Sequence, residues 1–177
     1  MVWTLFMPAA LLVHWNLLTE PAAVRFLFWA YFFVSALLTI RVLSRLEAGS
    51  TATTAGWMVA FVAIATLGPG FSFGQREHAC VLFAMPYLAS AALRLQRGEG
   101  PDAVTAVVIG LLAGVGFAIK PHFLAVPALV ELLLLVKLGW RALFARTESL
   151  VLAGTMVVYA TLAVLLLRDY LELTLGL

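Results

Sequence analysis

Residues 24–45 read VRFLFWAYFFVSALLTIRVLSR, and no residue between Arg25 and Arg41 is charged. A segment of this kind is too apolar for a solvent-washed surface helix. It is long enough for a membrane span, which needs roughly 17–25 residues at a 1.5 Å rise. Five more apolar stretches follow, near residues 54–71, 79–95, 103–119, 123–140 and 149–167. In hydrocarbon every backbone N–H and C=O must be satisfied within its own segment, so the spans are helices. The fold class expected is therefore all-α, a polytopic transmembrane helix bundle of about six spans forming a single domain. Residues 1–21 are apolar but interrupted by Pro8, His14 and Asn16, which suits a helix lying in the interface. Thr19-Glu20-Pro21 then reads as a helix start, with Thr19 near the N-cap and Pro21 in the first turn.

Composition supports this reading. Of 177 residues, 64% are hydrophobic and 11% charged, against about half and about a quarter in an ordinary soluble domain. A net charge of +2 without a basic cluster excludes nucleic acid as a partner. The single cysteine, Cys80, excludes an intramolecular disulfide framework. His78 and Cys80 are spaced as His-x-Cys, but nothing completes a metal set, so neither a metal nor a cofactor is expected. Trp3, Trp15, Trp57 and Trp140 fall near span boundaries, where aromatic belts lie.

The loops assign sides. Arg41, Arg45, Arg94, Arg97, Lys137, Arg141 and Arg146 gather on one side, and Arg25, Arg76, Lys120 and Arg168 on the other. The positive-inside rule puts the first set in the cytoplasm and both termini outside. The chain opens on apolar sequence without a basic leader region and closes on apolar sequence too. The expectation is an internal piece of a longer membrane protein, with a complete six-helix protein as the alternative.

Polar residues in so apolar a chain are the informative ones. On the outer side, Gln75, Arg76, Glu77 and His78 open the third span after Gly68-Pro69-Gly70. A helix N-terminus with its positive dipole suits a phosphate or carboxylate, and Arg76 can grip such a group bidentately. The alternative is a short solvated loop with an Arg76–Glu77 surface pair. Lys120-Pro121-His122 joins the fourth and fifth spans on the same side, which predicts a tight hairpin. Lys120 and His122 either line one outer pocket with Arg76 or merely anchor the membrane rim. Gly110 and Gly114 form a small-xxx-small pair for close helix packing. Glu131 lies about 12 Å into the fifth span by helical rise. It must face the bundle interior, as part of a functional site or as a structural hydrogen bonder to a neighbouring helix.

Two stretches carry a family resemblance. Residues 74–94, GQREHACVLFAMPYLASAALR, and residues 110–132, GLLAGVGFAIKPHFLAVPALVEL, resemble bacterial polytopic glycosyltransferases of the GT-C type. These enzymes take polyprenyl-phosphate sugars as donors. The resemblance implies a bacterial inner-membrane location and a lipid phosphate held at the outer surface. It gives Arg76, Lys120 and His122 the leaving phosphate, and Gln75, Glu77 and His78 places in the same substrate site. No catalytic residue is identified: such enzymes carry an essential acid in a first external loop after a first helix, and this chain has neither. The chain alone is therefore expected to be inactive in transfer. A small transporter or channel subunit, with Glu131 on its path, and a non-catalytic membrane scaffold are the alternatives.

Overall fold

The structure is a computed structural model, and it describes residues 2–46, 51–67, 76–140 and 144–166. Among the described residues there are seven α-helices and no strand. These are α1 (Val2–His14), α2 (Glu20–Leu43), α3 (Thr51–Leu67), α4 (Arg76–Arg97), α5 (Ala103–Ala118), α6 (Ala125–Leu138) and α7 (Thr147–Leu166). A 3-10 turn, Pro121–Leu124, leads into α6.

The all-α class holds. Two helices, Glu20–Leu43 and Glu77–Arg97, are long and apolar enough to cross a membrane. Ala55–Leu67, Ala103–Ala118 and Thr147–Leu162 are shorter apolar helices among the described residues. The stretch expected at 123–140 divides into the 3-10 turn and a 14-residue α6.

Local chemistry explains the helix ends. Thr19 is the N-cap of α2 in extended backbone, with proline in the first turn and Glu20 facing the positive end of the dipole. Asp102 caps α5: it accepts the Thr105 N–H at 3.1 Å and the Thr105 hydroxyl at 2.9 Å. Pro86 sits inside α4, where it cannot donate to the Leu82 carbonyl one turn back. The Ser35 hydroxyl of α2 donates to that carbonyl instead, and both partners are buried. A break in one helix thus becomes a tie to its neighbour.

Helix α4 is the centre of the bundle. It packs on α2, α3, α5 and α6, while α5 packs on α7 and α1 on α2. One apolar cluster includes Val42, Tyr87, Leu93, Ile109, Phe117 and Leu152. A second gathers Phe28, Phe32, Phe61, Leu82 and Phe83 between α2, α3 and α4. The expected glycine pair does the packing assigned to it. A Cβ on Gly110 would stand 2.6 Å from the Glu148 carbonyl oxygen, and one on Gly114 would stand 2.6 Å from Thr155 Cβ, so α5 lies against the α7 backbone at Gly110 and against a side chain at Gly114.

The expected tight hairpin of the fourth and fifth spans does not form. Lys120 precedes a proline and is extended (φ −141°, ψ 134°), and the 3-10 turn then leads α6 onto α4. Contacts rise together along α4 and α6, from Glu77–Lys120 to Tyr87–Glu131, so these two helices run the same way. The bundle consequently has two ends. One carries the starts of α2 and α4 with Lys120. The other carries the ends of α2, α4 and α6 with Arg146 and the starts of α5 and α7.

Candidate functional site

At the Lys120 end, the structure brings together the two turns singled out in the sequence. Lys120 Nζ donates to Glu77 Oε1, and the pair is partly exposed, with 28% and 41% of the two side chains accessible. The same ammonium lies 5.9 Å from the centre of the Phe123 ring. Arg76 is the first residue of α4, and Gln75 lies outside the described residues.

The two histidines part company. His122 is exposed and sits edge-on to Phe123 at 4.6 Å. His78 is turned inward and 3% exposed. Its Nε2 is 2.8 Å from the Ala65 carbonyl of α3, and its ring stacks on Phe28 of α2 at 5.8 Å. His78 therefore ties three helices together beneath the site.

The opposite end holds a polar cluster that sequence reasoning missed. Arg94 Nε and Nη2 grip the two oxygens of Glu148, the second at 2.8 Å, and the Ser90 hydroxyl adds a bond at 3.0 Å. Next to it, Glu131 Oε1 accepts from Tyr87 Oη and from Ser149 Oγ, each at 2.6 Å. Arg146 Nη2 stands 2.5 Å from Glu131 Oε2, an ionic contact whose angles make no hydrogen bond. Arg146 is 1% exposed and Glu148 2%. Two positive and two negative groups so lie together between α4, α6 and α7, and their charges cancel.

Glu131 was singled out in the sequence, and its partners prove to be inside the chain. Arg146 reads in the sequence as a loop cation, and Glu148 falls in the same loop ahead of the span expected at 149–167. One signal was available: Tyr87, Ser90 and Arg94 recur at three- and four-residue spacing, which places them on one face of α4. The same end carries an outer layer. Asp102 Oδ2 takes Arg41 at 3.3 Å and Arg45 at 3.1 Å, and Arg97 donates to the Leu46 carbonyl. The Asp102 carboxyl is held at about 2, chiefly by the Thr105 N–H and hydroxyl and then by Arg41.

No protein-family model, curated protein or solved structure matches this chain.

Proposed function

We propose that this chain is the donor-holding helical part of a glycosyltransferase of the GT-C type. It binds the phosphate of a polyprenyl-phosphate sugar at the outer face of a bacterial inner membrane. The Glu77–Lys120 pair carries the reading, because it joins the two stretches of resemblance at one end of the bundle. Lys120 and Arg76 supply the positive charge there, and His122 stands exposed on the same turn. A phosphate arriving at this end competes with Glu77 for the Lys120 ammonium.

The reading includes six spans with the Lys120 end outside. Supporting it, Leu37 on α2, Val59 on α3, Val104 on α5, Val136 on α6 and Leu165 on α7 are each about 70% exposed. Apolar side chains so uncovered on five helices make a surface that lipid covers far more readily than water. The more numerous cations stand at the Arg146 end, in keeping with a cytoplasmic position for it.

The test is binding of a polyprenyl phosphate to the full chain in lipid nanodiscs. An Arg76→Ala/Lys120→Ala variant is expected to bind at least tenfold more weakly, and Lys137→Ala, at the other end, to bind as the parent does. Equal binding by all three removes the proposal and leaves the scaffold reading.

The transporter reading draws on one observation, the charged cluster around Glu131. That polar row reaches Tyr87 and stops. Beyond it, α4 continues toward the Lys120 end through buried Ala84, Phe83 and Cys80. A path for ions through this row spans only part of α4, so donor binding is the better supported function.

A further inference from the structure

The two buried ion pairs at the start of α7 are built differently. In the first, both oxygens of Glu148 are hydrogen-bonded, by Arg94 and by Ser90. Breaking it would lose both Arg94–Glu148 hydrogen bonds and leave two charges unpaired. In the second, Glu131 has hydroxyl donors on Oε1 from both Tyr87 and Ser149, while among the described residues Oε2 has only the ionic contact. Arg146 fares worse: among the described residues, Nε, Nη1 and Nη2 find no hydrogen-bond acceptor, although the side chain is 1% exposed.

A guanidinium has five N–H donors and is costly to bury with those donors unmet. Coulomb attraction to Glu131 offsets part of that cost. Withdrawal to water would return the lost hydration to Arg146. Glu131 would keep its two hydroxyl partners meanwhile, so it is not left bare. The two pairs thus have different costs of separation on the same helical turn. Arg146 precedes the first residue of α7, at the end of the bundle that also carries the exposed Arg41 and Arg45 side chains.

We propose that the Glu131–Arg146 pair is a releasable latch and the Arg94–Glu148 pair a fixed anchor. When Arg146 withdraws, the recess formed by Tyr87, Glu131 and Ser149 opens to the Arg146 end, while α7 stays clamped to α4. This is a conformational device at the end of the bundle away from Lys120, and it stands independently of the donor-binding proposal.

Two serines report on it. Ser149 belongs to the latch and Ser90 to the anchor, and both are buried, at 8% and 0% exposed. In a Cys80→Ala background, which removes the only native cysteine, Ser149→Cys and Ser90→Cys are each reacted with a water-soluble maleimide in nanodiscs. The latch predicts labelling of Ser149→Cys at least tenfold faster than Ser90→Cys. Adding Arg146→Gln is expected to speed labelling of Ser149→Cys at least tenfold again and to leave Ser90→Cys slow. Should Arg146→Gln fail to fold, Glu131→Gln/Arg146→Gln, which buries no unpaired charge, serves in its place with the same expectation. Equal rates at the two serines, or a Ser149→Cys rate indifferent to loss of the Arg146 charge, would overturn the latch.

Discussion

The two ends of this bundle use pairs of opposite charge to different effect. At one end Lys120 and Glu77 meet across a partly exposed turn, where water screens them and a competing anion can reach them. At the other, Arg94, Glu148, Glu131 and Arg146 lie between helices with little or no access to water. The difference is one of desolvation. An exposed pair is cheap to break and so is suited to exchanging partners with a ligand. A buried pair is costly to break and so decides which helix faces pack together. On the readings proposed above, ligand exchange belongs at the first end and architecture at the second, with the under-bonded Arg146 as the exception that permits movement.

The largest effect expected from this contrast comes from Glu148→Ala. Its loss leaves Arg94 without its partner in a place only 14% exposed. The expected cost is about 3–5 kcal/mol, the usual range for stranding one member of a buried pair. Denaturation in mixed detergent micelles, followed by helical circular dichroism, measures it. A loss no greater than that of Lys120→Ala would erase the distinction between the ends.

Next comes the backbone contact that seats this cluster. In Gly110→Ala the new methyl meets the Glu148 carbonyl at 2.6 Å and Val151 Cβ at 2.7 Å, and a backbone carbonyl cannot turn aside without moving α7. The cost expected is about 1–3 kcal/mol. Gly154→Ala, on the same α7, is the control, since its Cβ meets nothing within 4 Å. It is expected to be neutral or to stabilise by up to about 1 kcal/mol through helix propensity. The same unfolding measurement reads both, and equal losses would mean that α5 and α7 are not held together at Gly110.

Much of this was legible in the sequence, and for identifiable reasons. Helix positions follow from runs of apolar residues, which is why 103–119 anticipates α5 to within one residue. The contact at Gly110 and Gly114 follows from spacing on one helix. The alternation of loops between two ends follows from helix count alone. The Arg146 cluster was out of reach because its members come from α4, α6 and α7, and pairing between distant segments leaves no local pattern. His78 was open to misreading for a related cause. A histidine at a helix start reads as an exposed group, and only the approach of Phe28 and Ala65 from two other helices shows that it is enclosed. A three-residue connection suggests a tight hairpin, but Pro121 extends the residue before it, and the 3-10 turn that follows directs α6 onto α4.

At the Lys120 end, Lys120→Ala is expected to change stability by only about 0–1 kcal/mol, given how far water reaches the pair. On the proposed function, its effect falls on phosphate affinity instead. A stability loss of several kcal/mol, read in the same micelles, would make Lys120 an architectural residue and weaken the functional division between the ends.

The smallest effect tests whether exposure, rather than location, sets these magnitudes. Asp102 stands at the Arg146 end but in its exposed outer layer, with 39% of its side chain accessible. Its folded-state pKa of about 2 lies below the ordinary carboxylate value. A depressed value means the folded chain binds the proton less readily than the unfolded one. The stabilisation is thus complete above the ordinary carboxylate range and is lost as pH falls toward 2. Between pH 7 and 5 the start of α5 should keep its amide protection unchanged, and below about pH 4 it should lose protection progressively. Asp102→Asn should flatten that dependence, because its cap hydrogen bond survives without a titrating charge. If the acid-sensitive loss is as large as that of Glu148→Ala, position at the Arg146 end matters more than burial, and the desolvation account of the two ends is wrong.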